Sequence, residues 1–84
     1  MRHYTSADFW EMCWKLSIEI RELADKNYEL LKENPRHPSL QLKRIEELWS
    51  VRVGKHYRAI GIDALDGIQW IWIGSHAEYD KFIA

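Results

Sequence analysis

An α+β fold is predicted for this chain, with two helices first, a meander of strands next and a short helix last. Three features carry the prediction. Apolar residues recur at helical spacing between Phe9 and Leu31. From Leu40 the period shortens to two, the alternation of a half-buried strand. Gly-containing turn signals then separate the alternating runs. Helices and strands are segregated along the chain rather than interleaved, which favours helices laid on an antiparallel sheet. The expected architecture is an N-terminal helical hairpin packed on a four-stranded antiparallel meander, with a short C-terminal helix. It forms one domain over residues 1–84.

Thr5 or Ser6 can cap the first helix, and Asp8 suits the positive end of its dipole. Phe9, Cys13, Leu16 and Ile20 form its apolar stripe, which Leu23, Ala24, Tyr28 and Leu31 continue. Ser17 either caps a second helix or lies inside one long helix. Glu22–Lys26 and Glu29–Lys32 are helix-spaced ion pairs, each worth about 0.2–0.5 kcal/mol. Asn34-Pro35 ends the helix, because proline disfavours helical geometry in the residue before it. Arg36-His37-Pro38 reads as an extended connector. Residues 40–45 alternate as an edge strand and residues 49–53 as a half-buried one. Gly54-Lys55-His56 is a hairpin loop leading into a strand over residues 57–62. Asp66-Gly67 marks the next turn, within a loop over residues 63–67. Residues 68–73 (IQWIWI) are nearly all apolar, as in a central strand covered on both faces. Ser75-His76-Ala77-Glu78 has the form of a capping box, and Tyr79, Phe82 and Ile83 give the last helix an apolar side.

Composition excludes several classes. At 84 residues with 46% apolar content, the chain can bury one compact core, so disorder is excluded. The single cysteine, Cys13, rules out an intramolecular disulfide, and its place between Met12 and Trp14 suits core packing. No apolar run reaches the roughly 18 residues of a membrane span, and MRHYTSADFW lacks the apolar stretch of a signal peptide. The expectation is a cytoplasmic protein with no membrane partner. His3, His37, His56 and His76 lack ligand spacing and no second Cys exists, so neither a metal nor a cofactor is expected. Five Trp in so small a domain suggest apolar surface reserved for a partner.

Net charge is −1, but it is unevenly spread: residues 35–58 carry six basic and two acidic side chains. Within that segment Arg52 and Arg58 flank Gly54. If residues 54–56 form a three-residue loop, Val53 faces Tyr57 and Arg52 lies opposite Arg58. Both side chains then leave one sheet face and can clamp an anion. A two-residue loop breaks this parity, and the plainer alternative is two unrelated strand arginines.

The order HPSLQLKRI, LWSVRVGKHYRAIGI and WIWIGSHAEYDKFI resembles the RelE/ParE superfamily of toxin–antitoxin toxins, over roughly residues 8–83. The most specific part is a strand–hairpin–strand with Arg on each arm, then an apolar strand and G-S-H-x-x-Y. The resemblance implies a helical hairpin on a curved antiparallel sheet and a cognate antitoxin in a toxin–antitoxin hetero-oligomer. It also implies either messenger RNA cleavage on the ribosome or inhibition of DNA gyrase. Such proteins usually open with a strand, which here is missing or reduced to His3-Tyr4. The family's ribosome-dependent nucleases are usually strongly basic, unlike this chain.

Metal-independent RNA cleavage needs a base for the 2′-OH proton, cations for the phosphorane charge and an acid for the leaving 5′-oxygen. An Arg matching Arg58 is functional in nuclease members, so Arg58 with Arg52 is expected to stabilise the phosphorane. His76, whose imidazole class titrates near neutrality, is expected as acid or base. Tyr79, on the same helix, is expected either to stack on a base or contact substrate, or to belong with Phe82 and Ile83 to the core side of the helix. Lys43, Arg44 and Lys55 are expected to hold RNA phosphates, while His56 is most simply a turn residue. The first functional expectation is thus growth arrest by ribosome-dependent mRNA cleavage. The alternative is a binding module of the same fold, a gyrase inhibitor or a weakened toxin whose main partner is its antitoxin.

Overall fold

A computed structural model of the chain describes residues 2–83. The first strand, β1 (Arg2–Thr5), leads into α1 (Ala7–Trp14) and α2 (Ile18–Glu33). A 3₁₀ turn (Pro38–Leu40) precedes β2 (Lys43–Ile45), β3 (Leu48–Val53), β4 (Tyr57–Ala64) and β5 (Gly67–Ser75), and α3 (His76–Ile83) follows. The strands form one sheet in the order β1-β5-β4-β3-β2. The meander β2 to β5 is antiparallel as expected, but the sheet has a fifth strand: β1 pairs parallel with β5 along its edge. The four-stranded expectation is corrected to five. Two shorter corrections concern the connector. Pro38–Leu40 turns rather than extends, with His37 Nδ1 accepting from the Ser39 N–H (3.2 Å), and the edge strand contracts to Lys43–Ile45.

Local sequence explains most boundaries. Ser6 caps α1, its Oγ accepting from the Phe9 N–H at 3.1 Å. The helix breaks after Trp14, and α2 begins after Ser17, whose side chain makes no capping bond. Asn34 closes α2 ahead of Pro35. Gly54 takes a left-handed φ of 69° and passes so close to α2 that a Cβ there would overlap the Leu23 side chain. Gly67 has the tighter constraint: a Cβ would collide with the backbone of Arg2, so only glycine lets β1 close against β5.

α1 and α2 cover one sheet face, and Phe9, Leu31, Val51, Ala59, Trp70 and Ile73 are buried between them. Fully burying such side chains is worth about 1.5–3 kcal/mol each. α3 lies over β4 and β5, on the face carrying Ile60 and Trp72. The switch between layers comes from a bulge. Ile60 pairs with Trp72 and Gly61 with Trp70, leaving Ile71 as the extra residue. Trp70 therefore enters the helical core at 1% exposure, whereas Trp72 faces the opposite way and meets Phe82 of α3 with ring centroids 5.6 Å apart.

β1 is held by polar contacts as well as by its ladder. Trp70 Nε1 donates to His3 Nδ1 (3.2 Å), the two rings stack, and Tyr28 Oη donates to the His3 carbonyl (3.1 Å). Burial lowers the His3 pKa from its ordinary value of 6.5, and the charge of Lys32 adds to the effect. The unfolded chain therefore takes up this proton at a higher pH than the folded chain does. Stability linked to His3 is complete above the ordinary histidine pKa and is lost as pH falls through the lowered folded value. Melting temperatures between pH 7.5 and 5 are expected to drop further for wild type than for His3→Phe; parallel declines would remove His3 from the account.

Candidate active site

Strand register decides which expected residues share a face. Val53 pairs with Tyr57 and Arg52 with Arg58, the arrangement of a three-residue hairpin loop. Lys43 pairs with Ser50, and Ser50 with Ile60. Cross-strand partners project to the same side, so Lys43, Arg52 and Arg58 all leave the face covered by α3. Arg44 has the opposite parity. It makes a bidentate pair with Asp63 (3.0 and 2.7 Å), and Trp49 Nε1 donates to the same carboxylate (2.8 Å). Hydrogen bonding from Arg44, then Trp49, holds the Asp63 carboxyl below its usual range, and Asp63 raises the Arg44 pKa in turn. Arg44 is thereby occupied, away from Arg58.

The two central arginines start side by side and then diverge. Arg58 is buried, at 6% exposure. Its Nε donates to Ser50 Oγ (3.0 Å), its Nη2 donates to the Gln41 carbonyl (3.4 Å), and its guanidinium lies 5.0 Å from the Tyr79 ring centroid. Each of these partners is neutral, and among the described residues Arg58 makes no ion pair. Arg52 turns toward the hairpin tip instead, its Nε donating to the Gly54 carbonyl (2.8 Å), and shares a cleft with Lys55.

α3 supplies the rest of the cluster. His76 stacks on Tyr79 with centroids 5.9 Å apart, so Arg58, Tyr79 and His76 form one layered set. The His76 ring is exposed, with Nε2 3.8 Å from Asp80 Oδ2. Tyr79 is buried at 2% exposure, yet its hydroxyl has no hydrogen-bond partner in this structure. A capping box positions the helix: Ser75 Oγ accepts from the Glu78 N–H (3.2 Å), and Glu78 Oε1 accepts from the Ser75 N–H (3.2 Å) and hydroxyl (3.0 Å). The His76 N–H also donates to the His56 carbonyl (2.7 Å), tying α3 to the hairpin tip. Ser75→Ala is expected to cost about 1 kcal/mol, or roughly 4–8 °C in a domain of this size, read by thermal melting. An unchanged melting temperature would mean the box contributes nothing.

Thus Arg58, His76 and Tyr79 come together, Lys43 borders them, Arg52 and Lys55 form a neighbouring group, and Arg44 stands apart. Ser50 and Gln41, which orient Arg58, were not legible as site residues. Ser50 is a small polar residue in an otherwise apolar alternation, and Gln41 contributes only a carbonyl, from a left-handed backbone position. A groove between α1 and α2 holds Trp10, Trp14 and Ile18 beside the charged Arg21, Glu22 and Asp25, with Trp14 70% exposed; the tryptophan content points to such a surface without locating it. The i, i+4 spacing of Trp10 and Trp14, off the core stripe, is the signal that could have found it.

Comparison with solved structures shows the same fold. The RelE–RelB complex of Methanococcus jannaschii aligns with TM-score 0.72 at 15% identity, covering 96% of this chain and 99% of that one. A YoeB/ParE toxin from Agrobacterium tumefaciens aligns at 0.67 and 13% identity, covering 90% and 99%. The isolated RelE toxin of E. coli aligns at 0.62 and 18% identity, covering 98% and 97%. No curated protein matches the chain. The family model for the ParE-like toxin domain matches residues 19–81. That span runs from α2 through most of α3 and includes the whole arginine–tyrosine–histidine layer, so this chain belongs to the ParE-like toxin family, within the RelE/ParE superfamily.

Proposed function

We propose that this protein is a toxin that arrests growth by cleaving messenger RNA on the ribosome, without a metal, and that a cognate antitoxin neutralises it. The observation that carries the reading is Arg58, a buried guanidinium hydrogen-bonded only to neutral groups, over the ring of Tyr79, whose buried hydroxyl has no hydrogen-bond partner in this structure. A buried charge without a counter-ion is costly. A phosphate at this position offsets that cost, and the guanidinium is already oriented for it by Ser50.

In the reaction, the ribose 2′-oxygen attacks phosphorus, the bond to the 5′-oxygen breaks, and a 2′,3′-cyclic phosphate and a 5′-hydroxyl result. Arg58 neutralises the charge added to the phosphorane. His76, with Asp80 beside its Nε2, takes the 2′-OH proton or supplies the one that the leaving 5′-oxygen gains, solvent water makes the other transfer, and Tyr79 contacts the substrate. Lys43 holds backbone phosphate at the border of the same face. Phosphate entry requires the Tyr79 ring to shift from the guanidinium.

Mapping RNA 5′ ends after induction tests this reading. Wild type is expected to produce new 5′-hydroxyl ends within coding regions, and Arg58→Ala none. Growth arrest without new ends, unaltered by Arg58→Ala, overturns it. That outcome favours the second reading, a protein-binding toxin directed at a target such as gyrase, or one whose main partner is its antitoxin. The exposed Trp10–Trp14–Ile18 groove supports such a partner surface.

A further inference from the structure

The groove between α1 and α2 has a volume of about 230 Å³. Trp10 and Trp14 enter it from α1 at i, i+4, while Ile18, Arg21, Glu22 and Asp25 form one stripe of α2 at i, i+3, i+4 and i+7. Trp10 is 39% exposed, Ile18 55% and Trp14 70%, so three large apolar side chains meet water side by side. Single exposed apolar residues are ordinary, but a contiguous group with a polar rim marks a binding surface.

The rim carries both signs, and its charges are uncommitted. The Arg21 guanidinium lies 4.7 Å from the centroid of the Trp14 ring. Its Nε is buried and has no hydrogen-bond partner in this structure. Glu22 leaves its helix-spaced pair with Lys26 unmade, and among the described residues none of Arg21, Glu22 and Asp25 forms an ion pair.

This mixture selects the occupant. Nucleic acid or an anionic lipid surface suits Arg21 but is repelled by Glu22 and Asp25. A basic peptide has the reverse difficulty. A second copy has neither, because a two-fold rotation brings the patch against itself, and every contact of i with j is matched by one of j with i. Arg21 of each copy then faces the carboxylates of the other, around a centre of tryptophan and isoleucine. Aromatic residues and arginine at the centre with charge at the rim are the composition of a protein–protein interface.

We infer that two copies of this protein associate through the α1–α2 groove as a two-fold dimer. Paired there, each Arg21 completes its hydrogen bonding with Glu22 or Asp25 of the other copy. α1 and α2 cover the sheet face opposite α3, so both arginine–tyrosine–histidine layers stay on the outside of the dimer. Association at this face does not depend on whether the target is RNA or a protein.

Sedimentation velocity of the full chain, from micromolar concentrations up to about 1 mM, reads the association, since even a millimolar complex is then about half formed. Wild type is expected to pass from monomer to dimer within that range. Trp14→Ala is expected to weaken the dimer about thirtyfold, the loss typical of a central interface tryptophan. Arg21→Glu alone, and Glu22→Arg/Asp25→Arg alone, are each expected to stay monomeric through like-charge repulsion. Mixed in equal amounts, these two variants are expected to associate again, because the reversed charge at 21 on one copy then opposes the reversed charges at 22 and 25 on the other. Thermal melts report the folding of each variant, and Trp14→Ala, at a largely exposed position, serves as the test should Arg21→Glu fail to fold. Wild type that remains monomeric throughout overturns the dimer and returns the groove to an unlike partner. A dimer indifferent to Trp14→Ala lies elsewhere on the molecule and overturns it as well. Folded charge variants that lose association and do not regain it on mixing overturn the two-fold pairing of Arg21 with the carboxylates.

Discussion

Arg58→Ala is expected to lower the proposed RNA cleavage by about 10²–10³-fold, the usual loss when an oriented charge-stabilising donor is removed from an active site. The physical interest lies in what happens to stability at the same time. Arg58 is buried among Ser50, the Gln41 carbonyl and the Tyr79 ring, with no carboxylate to compensate it. Replacing a buried charge with an apolar side chain of similar length is often neutral or stabilising. Arg58→Met is therefore expected to be as inactive as Arg58→Ala, yet to melt at or above the wild-type temperature. Arg58→Lys keeps the charge but loses both the guanidinium over the Tyr79 ring and the oriented Nε–Ser50 bond, so partial activity is expected at most. Cleavage by purified protein on translating ribosomes, with thermal melts of the same preparations, reads both quantities. If Arg58→Met loses stability as well as activity, Arg58 is a structural centre, and the argument from an uncompensated charge fails.

Trp70→Ala is expected to have the largest effect on stability. Removing a large aromatic side chain from a core costs about 3–5 kcal/mol. Total stability for a domain of this length is only about 4–13 kcal/mol. Trp70 is 1% exposed, packs in the core between the helices and the sheet, and donates the Nε1–H bond to His3 that fastens β1. Its loss thus removes both a core member and the anchor of an edge strand. Trp72→Ala, half-buried on the other face, is expected to cost clearly less, because that ring meets Phe82 at the surface of α3. Urea unfolding of the two variants provides the comparison. Equal losses would mean that the two tryptophans do not serve separate layers.

Legibility in the sequence followed the range of the interactions. Caps and breakers act within a few residues, so Ser6, Asn34-Pro35 and the Ser75–Glu78 box could be read directly. The hairpin register was open in the sequence between a two- and a three-residue loop; the structure has the three-residue form, which places Arg52 opposite Arg58. Periodicity does not reveal β1, because RHYT has too few apolar positions to show alternation and its partner β5 lies more than sixty residues away; only the resemblance left room for a short opening strand at His3-Tyr4, and the structure has it as Arg2–Thr5. Register also says which face a side chain leaves, not where its end travels. Hence the divergence of the two guanidiniums was invisible until Ser50, Gly54 and Tyr79 were in place. Arg44 shows the same gap, since its carboxylate partner Asp63 was read as loop and proves to be a strand residue.

The spare position at Ile71 reverses inside and outside for everything downstream of it. An uninterrupted strand would send Trp72 the same way as Trp70, into a core already filled, and would turn Ile73 outward. The chain would then leave Ser75 toward the opposite face, and the final helix would have to cross the sheet to bring a tyrosine near Arg58. An odd count of residues in one strand thus decides whether the arginine has an aromatic roof at all.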